Sequence, residues 1–177
     1  MTARKKLTPV SAVARGVAAS GVGTLALDSV WYRRYRNGGG GSGFPDWETS
    51  AGLNSWDDAP APAKVGKILV KAVSGRELGP QHARLVTNIT HWGYGLLAGA
   101  TYGVLAGILR SPKLRYGPPF GFGVWATGYV VLPAFGVYKP IWEYDAETLR
   151  KDLSAHLVFG VATAATFKVL TAGGARA

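Results

Sequence analysis

A chain of 177 residues with no cysteine has the length of one domain and can form neither disulfides nor thiolate metal sites. Its net charge of +10 comes from short basic groups (Arg4-Lys5-Lys6, Arg33-Arg34-Arg36, Lys64-Lys67-Lys71, Arg110-Lys113-Arg115) that bracket apolar segments. That is the pattern of a membrane protein beside anionic headgroups, and it argues against nucleic acid as a partner. The 25 glycines point the same way. They would cost a soluble helical domain about 1 kcal/mol each, whereas in a bilayer small residues let helices approach closely.

In chain order, the first apolar segment runs from about Pro9 to Tyr32 and contains Arg15 and Asp28. A basic start before an apolar stretch also fits a signal peptide. Asp28 and the arginines after it make a poor cleavage region, so the segment reads as a retained helix. A loop over 33–84 follows. It opens with Gly38-Gly39-Gly40-Gly41-Ser42-Gly43, a flexible linker by composition, and continues with an acidic, tryptophan-bearing stretch from Asp46 to Asp58. An amphipathic helix is expected over 63–74. Val65, Ile68, Leu69 and Ala72 lie on one side and Lys64, Lys67 and Lys71 on the other. It would either lie along the membrane surface or pack, solvated, on the loop.

Three further segments are about long enough to span a hydrocarbon core: Leu85 to Leu109, Pro118 to Tyr138, and Leu153 to Ala172. Pro133 is expected to kink the third, and Lys168 to snorkel from the fourth. The expected fold is therefore an all-α, multi-pass transmembrane bundle of four helices with a long loop between the first and second. Trp31-Tyr32, Trp92, Tyr94, Tyr138, Trp142 and Tyr144 would then share one membrane face as an interfacial belt. The short loop with Arg110, Lys113 and Arg115 carries no acid, which favours cytoplasmic termini.

Small residues recur at a spacing of four. Gly95, Gly99, Gly103 and Gly107 mark helix two, Gly16, Ser20 and Thr24 helix one, and Gly160 and Ala164 helix four. Such a glycine-zipper pattern serves close helix contact, within one protomer or against another copy or another membrane protein. Each stripe ends in an ionisable residue: Asp28, His91 and His156. In a four-helix topology these three reach one membrane face, joined by Glu143, Asp145 and Asp152 in the loop on that face and by His82 ahead of helix two. Ionisable groups at membrane depth are costly and are functional candidates. Imidazole beside carboxylate can exchange a proton in mildly acidic surroundings, or His82, His91 and His156 can help hold a divalent metal ion. The plain alternative is that each residue anchors a helix end. The sequence has no H-E-x-x-H, G-x-S-x-G or Walker motif, and the reading is non-enzymatic.

The second half of the chain resembles the YagU-like proteins, bacterial inner-membrane proteins of a family of unknown function. The resemblance rests on three features between Gln81 and Phe159. They are His82 and Thr90-His91 leading into a glycine-rich helix, Pro133-x-x-Gly136-x-x-x-Pro140, and Asp152-x-x-x-His156-Leu157-Val158. It implies a multi-pass plasma-membrane protein with cytoplasmic termini, and directs attention to His82, His91, Asp152 and His156. Asp28 and the glycine-rich loop have no counterpart in that pattern. The leading functional expectation is a proton-responsive membrane protein of envelope or acid-stress physiology. The alternatives are a metal-binding, transporter-like protein and a structural subunit that docks partners through its glycine stripes.

Overall fold

The computed structural model describes residues 7–108 and 113–172. Arg4-Lys5-Lys6, Leu109 and Arg110 lie outside the described residues. The described chain is helical, with no strand. Four long helices, α1 (Pro9–Asn37), α4 (Ala83–Ile108), α5 (Gly117–Ala134) and α6 (Ala146–Ala172), are joined by turns and by two shorter helices, α2 (Phe44–Glu48) and α3 (Ala61–Ser74).

Helix α1 starts on a side-chain cap. Thr8 Oγ1 accepts from the Ser11 N–H at 3.2 Å, and Pro9 takes the first turn, where its missing donor is not needed. Asp145 opens α6 by accepting from the Thr148 N–H at 2.8 Å. The helix consequently begins two turns before the apolar segment does. Pro133 does not kink α5 in its interior. It sits in the last turn, and the chain reverses at Gly136 with φ +66°.

Small residues set the packing. Helix α1 is central, packed against α4 on one side and α6 on the other, and α5 packs on α6. The buried residues of α1 are Ala12, Gly16, Ala19, Ser20, Gly23, Thr24 and Asp28. A Cβ on Gly16 would strike the Gly99 carbonyl and the Gly103 backbone; one on Gly23 would strike Thr163 and Phe159. On α6, Gly160 lies equally close to Gly117 and Gly121 of α5. Gly95 meets Thr24, Gly99 meets Ser20, and Gly107 meets Ala12, so the stripes of α1 and α4 face each other within one chain.

Helices α4 and α5 meet through long side chains. Tyr102 contacts Phe120 at 4.8 Å between ring centroids, and Phe167 at 5.4 Å. With Ala19, Ala106 and Ala164 these rings close one end of the bundle. Toward the other end Tyr94 of α4 donates to the Val124 carbonyl of α5 at 3.3 Å.

Two of the long helices, α1 and α6, are long and apolar enough to cross a membrane. Helices α4 and α5 fall short on mean hydropathy. Their Gly, Trp, Tyr and Pro count as mildly polar, although bilayers accept these residues in helices and at interfaces.

A cavity with two histidine–carboxylate pairs

A cavity of about 630 Å³ is lined by residues of α1, α4, α5 and α6, with Trp47 of α2 and Pro62 of α3. Asp28, His91, Asp152 and His156 all contribute to its wall. Each histidine is held by a carboxylate. His91 Nε2 lies 3.0 Å from Asp28 Oδ2, across the α1–α4 contact. His156 Nδ1 lies 3.2 Å from Asp152 Oδ1, one turn back on α6, and 3.0 Å from the Asp152 carbonyl. Asp28 is 3% exposed. A carboxylate so deep requires such a partner.

Asp152 is gripped from a second side. The Tyr129 hydroxyl, from α5, donates to its Oδ2 at 3.0 Å. Tyr129 also packs on Tyr138 and Tyr144, each 5.4 Å away, at the turn into α6. Arg34 joins the same wall from α1. It donates to the Lys151 carbonyl and to Ser154 Oγ, both at 2.7 Å, while its guanidinium lies over Trp31 at 4.8 Å. Two buried polar atoms in lining residues, Thr24 Oγ1 and Trp125 Nε1, find no partner among the described residues.

One candidate side chain escaped the sequence reading. Glu48 ends α2, and its carboxylate lies with Asp28 and His91 so that one ligand atom from each falls within 4.8 Å of the others. Burial, and then the neighbouring Asp28 charge, push the Glu48 carboxyl above its ordinary value; His91 and Trp92 oppose this less strongly. Glu48 Oε1 is buried without a hydrogen-bond partner among the described residues. This group of two carboxylates and an imidazole could hold a metal ion.

The glycine-rich segment is what delivers Glu48. Tyr32 donates to the Ser42 carbonyl at 3.1 Å, and the Ser42 N–H donates to the Tyr35 hydroxyl at 3.0 Å. Gly40 lies flat on the Tyr35 ring, where a Cβ would collide. The chain then enters α2, whose Phe44 and Trp47 pack on Tyr32 at 5.2 and 5.5 Å. The end of α2 is tied to α4, because Arg84 and Asn88 both donate to the Thr49 carbonyl, at 2.9 and 3.0 Å. The segment is thus a strap packed on the end of α1 and leading into α2, whose Trp47 lines the cavity, where composition alone had indicated a flexible linker.

Other candidates lie elsewhere. His82 sits in the 80–82 turn before α4, with Nδ1 buried and unpartnered among the described residues, and does not line the cavity. It is nine residues ahead of His91, about 13 Å along the chain direction at a helical rise. Glu143 is exposed in the 141–143 turn, apart from the histidines. Helix α3 packs on α4 through Ala63 and Gly66, not through its bulky apolar face; Leu69 and Val73 remain 49% and 88% exposed. Comparison with protein-family models, with curated proteins and with solved structures returns no match.

Proposed function

We propose that this chain is a multi-pass membrane protein in which α1, α4, α5 and α6 all cross the bilayer, and that its cavity responds to protons. The convergence of the Asp28–His91 and Asp152–His156 pairs on one cavity carries the reading. Four crossings are supported by side chains that point outward. Leu97 and Ile108 of α4, Val130 of α5 and Val169 of α6 are between 66% and 73% exposed. No Asp, Glu, Lys or Arg occurs from Leu85 to Ile108 or anywhere in α5. In water such surfaces would be aggregation liabilities; against lipid they are solvated.

His91 faces Asp28 from α1 and Glu48 from α2. His156 faces Asp152 on its own helix, with Tyr129 of α5 and Arg34 of α1 against the same wall. Protonating both imidazoles would add two positive charges to a lining that now holds two carboxylates and one guanidinium. The change in field would reach Arg34, Tyr129 and the α2 strap. With cytoplasmic termini, the α1 C-terminus and the cavity face outward, toward the envelope. The resemblance to YagU-like proteins implies a bacterial inner membrane and assigns no activity; a role in acid-stress physiology is the reading of the two histidine–carboxylate pairs.

Trp31, Trp47 and Trp125 line the cavity and report on it. Tryptophan emission of the purified protein should change with a midpoint between about pH 5 and 8, where histidine titrates. The change should vanish when His91→Ala and His156→Ala are combined. An identical transition in the folded double variant would sink the proposal.

The Asp28–Glu48–His91 group favours a second reading, a divalent-metal site. It expects near-stoichiometric zinc or a similar ion in the purified protein, lost in Glu48→Gln. A metal-free protein after incubation with excess ion would dismiss it.

A further inference from the structure

We propose that the cavity binds an apolar organic cation, of the quaternary ammonium or phosphonium class. The inference rests on this cavity being the functional site, and it names the ligand chemistry. At about 630 Å³ the space is within the range that holds a small organic molecule. Its walls are dominated by rings: Trp31, Tyr35, Trp47, Tyr94, Trp125 and Tyr129 all face it. The electron-rich faces of such rings attract cations, most strongly where water is excluded. Trp31 already carries a guanidinium, that of Arg34, over its face.

The charges agree with the rings. Asp28 of α1 and Asp152 of α6 both contribute to the lining. The cationic side chain in the lining, Arg34, is engaged by a carbonyl, a hydroxyl and Trp31. With neutral imidazoles the lining is therefore net acidic, and it would repel an anion. Away from the Asp28–Glu48–His91 group, a small hard cation would find too few oxygens among these rings to replace its hydration shell. A large cation with weakly held water loses little on entry and gains ring faces together with two carboxylates.

Tetraphenylphosphonium and its isosteric anion, tetraphenylborate, separate charge from apolarity. In calorimetric titrations of the detergent-solubilised full chain, the phosphonium should bind saturably, one per chain, and the borate should not. Trp125→Leu should weaken phosphonium binding about tenfold while Trp125→Phe stays close to the parent, since the ring face supplies the attraction. Asp152→Asn should weaken it by a similar factor. Equal binding of both ions would overturn the inference, because it would mark simple apolar partition. So would phosphonium binding that a folded Trp125→Leu protein leaves unweakened. If phosphonium fails to bind while the tryptophan pH transition persists, the cation site falls and the proton reading stands. If it binds with these variant effects and the transition is absent, the proton reading falls and the cation site stands.

Discussion

At the residue scale the site depends on how carboxylates are kept inside the protein. Asp28 is matched by an imidazole and Asp152 by an imidazole and a phenol, whereas Glu48 Oε1 is buried without a hydrogen-bond partner among the described residues. Its burial and the Asp28 charge favour the protonated form, so its folded-state value is raised. A carboxyl raised on folding contributes stability below its ordinary value, and that contribution is lost as pH rises through the raised one. Glu48→Gln, which keeps the shape and removes the charge, should therefore leave thermal stability unchanged at about pH 4 and raise it at neutral pH. Thermal melts of both proteins across that range check it. Parallel curves would show that Glu48 is solvated in both forms. Glu48 was not recognised in the sequence because its position depends on four aromatic side chains gathering around the strap. A local signal does exist: Gly43, then Pro45 and Asp46 in the first turn, is a helix start that would have placed Glu48 at the end of a short helix.

At the element scale, small residues at a spacing of four lie in the contact between α1 and α4. Gly16, Ser20 and Thr24 of α1 lie against Gly95, Gly99 and Gly103 of α4. Asp28 and His91 are the next residues along the same two stripes, and so the pairing of their helices also pairs their side chains. Gly99→Leu should therefore act within the chain. The added side chain would strike Ser20 and the Gly16 carbonyl, neither of which can withdraw. Overpacking of this kind costs about 1–3 kcal/mol or more. A lowered melting temperature in detergent, at every protein concentration, is the expected result. A drop confined to oligomer dissociation, with the protomer as stable as before, would assign the stripe to contacts between copies. What periodicity could not supply were helix ends set by caps and turns. The Asp145 cap extends α6 past its apolar segment, and the Gly136 reversal ends α5 before Tyr138. Nor did the bulky residues of α3 foretell its packing, because Gly66 permits a closer approach to Val86 and Thr90 than Ile68 or Leu69 would.

At the scale of the whole molecule, the arrangement has a definite polarity. The Tyr102, Phe120 and Phe167 rings close one end, while the titratable groups and the strap occupy the other. A membrane gives that polarity a direction. If α1, α4, α5 and α6 all cross, the strap and the 135–145 turn lie on one side, and the α4–α5 connection lies on the other. If only α1 and α6 cross, α4 and α5 do not divide those segments, and Lys113 can share a side with Trp142. The absence of cysteine makes the distinction measurable without altering any native thiol. Single cysteines at Asp58, Lys113 and Trp142, three exposed positions, can be challenged with a membrane-impermeant maleimide in intact cells and in inverted vesicles. Four crossings require Asp58→Cys and Trp142→Cys to label from the same side and Lys113→Cys from the opposite one. With cytoplasmic termini, the first two label in intact cells. The charge pattern gives the reason to expect that direction, since Lys113 and Arg115 flank a short connection free of acids. Labelling of Lys113→Cys and Trp142→Cys from one side would remove the α5 crossing. The cavity would then border water along its length, and the outward-facing Val130 would need a protein partner in place of lipid.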